Sequence, residues 1–324
     1  MRRCDLAPLA GLAAVAVLAG CAALPRPVPP ASRSAPVVTT AQAQRIVAST
    51  QDLLARSAAS GAAWDPNLAA TRLTGPALQW AAPAPNGQLA PIVPGTGGGA
   101  ATVIAPQAGA WPRAFAVIDS TALDGSGPLL SVYVSESAQL PYRMWGAVPL
   151  AQELPGFGPP DVAVGDPQRA TADEAADGPA GGPGLADVVA HVPDRYADVL
   201  RDGDRSAHAP EFETDGYAAA LRDRIEAERT RMGPELRTTV THEVLRQEGQ
   251  PDVVFAAVAG NGDALVVAGF VTTVTATAGP GLRGVTTRWI AALAFVVPAA
   301  EGNIRVVGAA DAISMPPNQP LDQT

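Results

Sequence analysis

The chain has 324 residues, room for two domains of ordinary size, and 31 acidic against 22 basic residues give a net charge of −9. An acidic body argues against a nucleic-acid partner, whose phosphates would repel it, and against electrostatic adhesion to anionic lipid. With only Cys4 and Cys21 available, the folded part must stand without disulfide staples.

Met1-Arg2-Arg3 opens the chain with positive charge, and Leu6 to Leu18 follows as an uncharged apolar run. That run is shorter than the roughly 20 residues needed to span a bilayer. A charged start, a short apolar core and small residues at its end mark a secretory signal over residues 1–20. Leu18-Ala19-Gly20-Cys21 resembles the bacterial lipobox. The resemblance implies that Cys21 is lipidated with palmitate-type acyl chains and becomes the first mature residue. The mature chain then sits on the outer face of the cell membrane, held by lipid. The signal carries two arginines and one aspartate, so its removal takes the charge from −9 to about −10. Cys4 leaves with it, so no thiol remains for cysteine catalysis or a cysteine metal site.

Residues 21–38 are rich in proline (Pro25, Pro27, Pro29, Pro30, Pro36) and lack apolar periodicity, which predicts an extended tether. An N-terminal α+β domain is expected over 39–153. Its first helix covers Thr40 to Ser60, with Ile46, Val47, Thr50, Leu53, Leu54 and Ser57 on one face, and Thr39 or Thr40 as cap. Asp65-Pro66 restarts a helix, and a short helix runs to Trp80. Residues 83–112 are rich in Pro and Gly and predict a mostly mobile loop. Strands are expected over Arg113–Ser120, Leu129–Ser135 and Arg143–Leu150, with hairpin chemistry at Asp124-Gly125-Ser126-Gly127.

Residues 154–184 form a second Pro/Gly-rich stretch, now acidic. The carboxylates are irregularly spaced and lack a calcium-loop pattern, so they predict a solvated linker. A C-terminal α+β domain follows over 185–315. Two short helical runs are expected, Leu185–Val192 and Pro193–Leu200, then a longer helix Thr214–Met232. On that helix Arg222 with Glu226 and Arg224 with Glu228 predict a solvated surface of i,i+4 pairs. Strands are expected over Leu236–Val244, Val253–Ala259, Leu265–Thr277, Thr286–Pro298 and Ile304–Ala312. Residues 316–324 predict a disordered tail.

Helices followed by a run of antiparallel strands, in both halves, is an α+β pattern with helices packed on one face of a curved sheet. It is similar to an NTF2-like or cystatin-like cone, with duplication as one reading of the repeated order. Thr74-Gly75-Pro76-Ala77-Leu78, Trp111-Pro112-Arg113, Pro141-Tyr142-Arg143-Met144-Trp145-Gly146, Leu154-Pro155-Gly156-Phe157-Gly158-Pro159-Pro160 and Tyr196-Ala197-Asp198-Val199-Leu200 occur in that order. Together they resemble a family of uncharacterised actinobacterial lipoproteins over roughly residues 40 to 315. The resemblance implies an extracytoplasmic location and carries no assigned chemistry.

No catalytic, cofactor-binding or metal-binding set emerges. His191, His208 and His242 lack metal-helix spacing, and no Gly-x-Ser-x-Gly elbow occurs. His242 is in phase with Leu236, Val240 and Val244, and Trp289 with Leu293, Phe295 and Val297, so both are expected to face inward. His242 and Trp289 are thus candidate lining for a pocket between helix and sheet. The absence of a catalytic set favours a non-enzymatic binding or scaffold module with an envelope protein as partner. A small-molecule binder or enzyme using an NTF2-like cavity in the C-terminal domain is the alternative.

Overall fold

The computed structural model describes residues 36–59, 65–81, 101–106, 111–120, 127–151, 154, 184–233, 235–246, 251–277 and 284–315. The signal, Cys21, the tether before Pro36, the Asp124–Ser126 turn, the acidic linker except Leu154 and Gly184, and the tail lie outside them.

Helix α1 (Thr40–Ala59) opens with a capping box. Thr39 Oγ1 accepts from Gln42 N at 3.2 Å, and Gln42 Oε1 accepts from Thr39 N at 2.8 Å. Helix α2 (Pro66–Ala70) is capped by Asp65, whose carboxylate accepts from Asn67 N and Leu68 N. Helix α3 (Gly75–Ala81) follows.

Strands β1 (Ala101–Ile104), β2 (Arg113–Asp119), β3 (Leu129–Ser135) and β4 (Arg143–Pro149) pair antiparallel in that order. β1 places a strand within residues 83–112, where a mostly mobile loop was expected. The residues Thr102-Val103-Ile104 are β-branched and pair in turn with Ile118, Val117 and Ala116 at the edge of the sheet among the described residues. A four-residue edge strand set among Pro and Gly leaves too short a pattern to read.

The second half supplies α4 (Leu185–Asp202), α5 (Gly216–Met232) and strands β5 (Arg237–Val244), β6 (Val253–Val258), β7 (Ala264–Thr277), β8 (Val285–Val297) and β9 (Arg305–Met315). Where two short helices were expected, α4 continues through Pro193. Pro193 gives up one backbone donor, but Val189, Val192, Pro193, Tyr196 and Ala197 form one buried stripe, and its packing keeps the helix in one piece.

The second sheet runs β5-β7-β8-β9, all antiparallel, with β6 also on β7. β5 pairs with Phe270–Thr277 and β6 with Ala264–Ala268, so the two lie end to end along one edge of β7. The chain leaves this line after Leu245, whose N–H still bonds Gly269 O at 2.8 Å. Arg246 clasps the neck of the excursion. Its guanidinium binds Asp252 at 3.1 Å, on the returning side, and Asp194 of α4 at 2.9 Å.

Both faces of the central strands are buried. Leu265, Val267, Val271, Ile290, Ala292 and Val296 pack against Ala116, Leu130, Val132, Val148 and Trp145 of the first sheet in one cluster. Helices α1 and α2 cover the outer face of the first sheet through Ala43, Leu53, Phe115, Tyr133 and Met144. Helices α4 and α5 cover the outer face of the second through two further clusters. The architecture is therefore mixed α+β, with two antiparallel sheets sharing an inner core and helices outside each. Residues Ala35–Thr324 make one compact unit.

Two details join the sheets. The β3–β4 register shifts between Val132 and Tyr133, leaving Trp145 as the extra residue of a β-bulge. Its ring turns into the inner core and lies against Gly75, where φ is +54° and a Cβ would sit 2.6 Å from the indole. At the corner, Leu150 bridges Gly308 of β9, and a Cβ on Gly308 would lie 2.6 Å from the Pro149 carbonyl oxygen.

Candidate functional site

The polar side chains that converge most closely do so on the helix-covered face of the second sheet, beneath α5. The start of α5 is fixed first. Asp215 caps it by accepting from Ala218 N at 2.7 Å through Oδ1, while Oδ2 accepts from the Tyr196 hydroxyl at 2.9 Å. Tyr196 is fully buried among Phe212, Phe270 and Phe295. Burial, reinforced by the Asp215 charge, drives its pKa far up, so it stays a neutral donor.

From that start, Leu221 and Ile225 face the sheet and pack with Val274 and Trp289. Polar groups flank this apolar strip. On the β9 side Arg224 Nη1 donates to Asp311 Oδ1 at 2.5 Å. The Tyr217 ring lies beside them, 5.9 Å from the Arg224 guanidinium, and burial followed by the Asp311 charge raises its pKa. Asp311 is only 12% exposed. Its Oδ2 lies 2.5 Å from Arg224 Nη2 as an ion contact without hydrogen-bond geometry, and Arg224 Nε has no partner among the described residues. Burial pulls the guanidinium pKa down, but Asp311 outweighs it and holds the charge in place. Nearer the end of α5, Thr287 donates to Glu228, which also pairs with Arg231 at 2.7 Å. Arg231 first, and then Thr287, hold Glu228 below the usual carboxylate range against the opposing effect of burial.

This replaces the expected solvated i,i+4 surface. Arg224 reaches across to β9 rather than to Glu228, because a carboxylate on the strand beneath offers a less hydrated, better oriented partner than one on the helix surface. Asp311 stands alone in the apolar run Gly308–Ile313. That isolated charge was the one sequence signal that could have exposed the cluster.

The two candidate pocket residues come together. His242 lies opposite Thr272, and Thr272 opposite Trp289, so all three occupy one row across β5, β7 and β8. His242 faces the helices as expected, half-buried, with Nδ1 3.0 Å from Thr272 Oγ1. Burial first, and then the Arg201 charge at the end of α4, lower its pKa from 6.5 to about 4. At neutral pH it is an uncharged imidazole. No carboxylate orients it among the described residues, and the Thr272 hydroxyl is itself buried, so the pair lacks the third member of a nucleophilic triad.

Trp289 is 6% exposed, its ring packed with Leu221, Ile225 and Val274. It is in phase with Leu293, Phe295 and Val297, as expected, and those three continue the same buried face under α4. The row is a packed seam with a histidine at its margin. The other two histidines are peripheral: His208 Nδ1 lies 2.7 Å from Glu211, which also receives Arg195 at 2.7 Å. Among the described residues no group of three or more His, Cys, Asp or Glu could hold a metal ion, and no helix is long and apolar enough to cross a membrane. No family model, no curated protein and no solved structure matches the chain.

Proposed function

We propose that this protein is a lipid-anchored lipoprotein of the cell envelope, attached through Cys21, whose α+β body acts as a non-enzymatic binding or scaffold module for another envelope protein. The observation that carries the non-enzymatic reading is the filling of the helix-covered face of the second sheet. Trp289 and Phe295 occupy it with aliphatic neighbours, where a catalytic NTF2-like cone would need open volume. The charged groups beneath α5 pair with one another: Asp311 with Arg224, and Glu228 with Arg231 and Thr287. The repeated order of helices and then an antiparallel sheet supports reading the halves as two NTF2-like or cystatin-like units of one evolutionary plan.

A second reading keeps the C-terminal half as a small-molecule site bordered by His242, because that imidazole is uncharged and only half-buried. The two readings separate in one experiment. Proteins cross-linked to the intact chain in its own membrane are identified beside a His242→Ala variant. The scaffold reading expects a specific partner whose capture is unaffected by the variant, and it is lost if no partner appears while a small molecule co-purifies with the native chain only.

The anchor has its own test. Replacement Cys21→Ala should abolish radiolabelled palmitate incorporation and move the chain to the soluble fraction. Unchanged labelling and membrane retention would sink the anchor.

A further inference from the structure

The described chain begins at Pro36–Val38, and this start is tied to one end of the first sheet. Val37 N donates to Pro106 O at 3.0 Å, just beyond β1, and the Tyr142 hydroxyl donates to Val37 O at 3.4 Å. Ile104 pairs with Ala116 and Arg113 with Ser135. The exit of β1, the start of β2, the turn after β3 and the start of β4 therefore gather at this same end.

Two large apolar side chains stand exposed there. Trp111, two residues ahead of β2, is 37% exposed, and Leu140, in the β3–β4 turn, is 45% exposed. Their backbones are held together because Ser135, the partner of Arg113, donates its hydroxyl to the Leu140 carbonyl at 2.7 Å. The Arg113 guanidinium lies 4.5 Å from the centre of the Trp111 ring. Arg72, whose carbonyl accepts from Met144 N, and Arg143, paired with Glu136, lie beside them. Of these charged residues at this end, Arg72, Arg113 and Arg143 stand against Glu136.

We propose that this end of the first sheet rests on the surface of the bilayer that holds Cys21, with Trp111 and Leu140 in the headgroup layer and Arg72 and Arg113 toward anionic headgroups. The inference rests on the lipid-anchor reading and adds an orientation to it. The 15 residues from Cys21 to Pro36 reach at most about 50 Å when fully extended, and they leave the body at this end, which is thereby held nearest the lipid. An indole with one wet edge suits the interface. Two apolar side chains bind a bilayer only weakly by themselves. A short flexible linker, however, presents its partner at an effective concentration in the mM range, so a weak contact is populated without independent affinity. The acidic remainder of the body is repelled by the same anionic surface, which favours this one edge-on orientation.

The test uses the full, lipidated chain reconstituted in vesicles of phosphatidylcholine and phosphatidylglycerol carrying bromine on the acyl chains near the headgroup. In a Trp64→Phe background tryptophan emission should be quenched, and adding Trp111→Phe should cut the quenched amplitude at least twofold, since the remaining Trp80, Trp145 and Trp289 are buried. A second readout guards against misfolding of that variant. A polarity-sensitive dye on Leu140→Cys should shift to the blue on vesicles, whereas the same dye on exposed Thr239→Cys of β5 should not. Equal quenching with and without Trp111, or equal dye shifts at the two positions, overturns the proposal. A blue shift that grows with protein concentration in the absence of lipid assigns the end to a second copy of the chain and also overturns it. Flotation with the vesicles reports the anchor separately. If Cys21→Ala floats as the native chain does, the anchor reading fails, and quenching of Trp111 by added vesicles at mM lipid still decides whether this end meets the bilayer.

Discussion

Trp80 and Ile290 are 210 positions apart in sequence, yet the Trp80 indole N–H donates to the Ile290 carbonyl at 3.1 Å inside the core. Trp80 belongs to α3, which follows the helices of the first half, and Ile290 to β8 of the second sheet. The bond sits within the cluster that both sheets build, so the halves stabilise one another rather than folding as beads on a string.

That relationship predicts a single unfolding transition. Trp80→Phe removes the bond and part of the ring, and should cost about 1–3 kcal/mol. Urea unfolding would be followed by amide exchange in β3 and in β7. Both strands should lose protection at one midpoint, shifted equally by the variant. Separate midpoints, with only one of them shifted, would show that the shared core does not couple the sheets.

The sheet corner makes a second prediction. A Cβ added to Gly308 would meet backbone, the Pro149 carbonyl, and would lie 2.8 Å from Val148 Cγ1. A backbone neighbour cannot swing aside as a side-chain tip would. Gly308→Ala should therefore destabilise by about 1–3 kcal/mol, with the largest loss of amide protection at Ala151, whose N–H bonds Val307 O across the corner. A variant of unchanged midpoint would mean that β4 and β9 can separate freely.

These two sites mark where the sequence stopped being legible. Alternation in Leu129–Ser135 and in Val240–His242–Val244 set the strand faces correctly, because each of those strands presents a regular pattern. Thr39 and Asp65 capped the helices expected of them. The union of the sheets left a quieter trace. Ala264–Val271 and Ile290–Val297 are apolar at every position, which is the mark of strands covered on both faces. One helix-covered face accounts for only half of those residues. The cation–carboxylate pairs under α5 were hidden for a different reason. Helix spacing makes Arg224 and Glu228 look like neighbours, and only the placement of β9 brings Asp311 closer. The bulge at Trp145 has no sequence period at all.

His242 supplies a pH prediction. Its pKa is about 4 in the folded protein and near 6.5 in the unfolded chain. Between those values the unfolded state binds the proton and the folded state does not, so acid favours unfolding. Stability from this residue is complete above pH 6.5, declines as pH falls toward 4, and changes no further below it. Because the ring is partly exposed, the loss should be about 1–2 kcal/mol rather than the full value of the shift. Urea midpoints should fall for the native chain from about pH 7 through about pH 5.5 to about pH 4.5. They should fall less for His242→Gln, which keeps a polar partner for Thr272 without titrating in that range.

The Arg224–Asp311 pair distinguishes a structural seam from a binding site. Asp311→Ala leaves a half-buried guanidinium without its carboxylate, and should cost about 1–3 kcal/mol. Arg224→Met alone strands the carboxylate and should cost a similar amount. Replacing both, Arg224→Met with Asp311→Leu, removes the stranded charges together. If the pair serves only to close α5 onto β9, the double variant should recover most of the loss and should capture the same cross-linked partners as the native chain. If the two charges instead meet a ligand, stability would return without the partner. The cycle of two single variants and one double variant, measured by urea unfolding and by cross-linking in the same membranes, therefore reads the role of the cluster directly. The expected outcome is recovery of both, because Asp311 is already bonded to Arg224, and the apolar strip of Leu221, Ile225, Val274 and Trp289 beside it is buried.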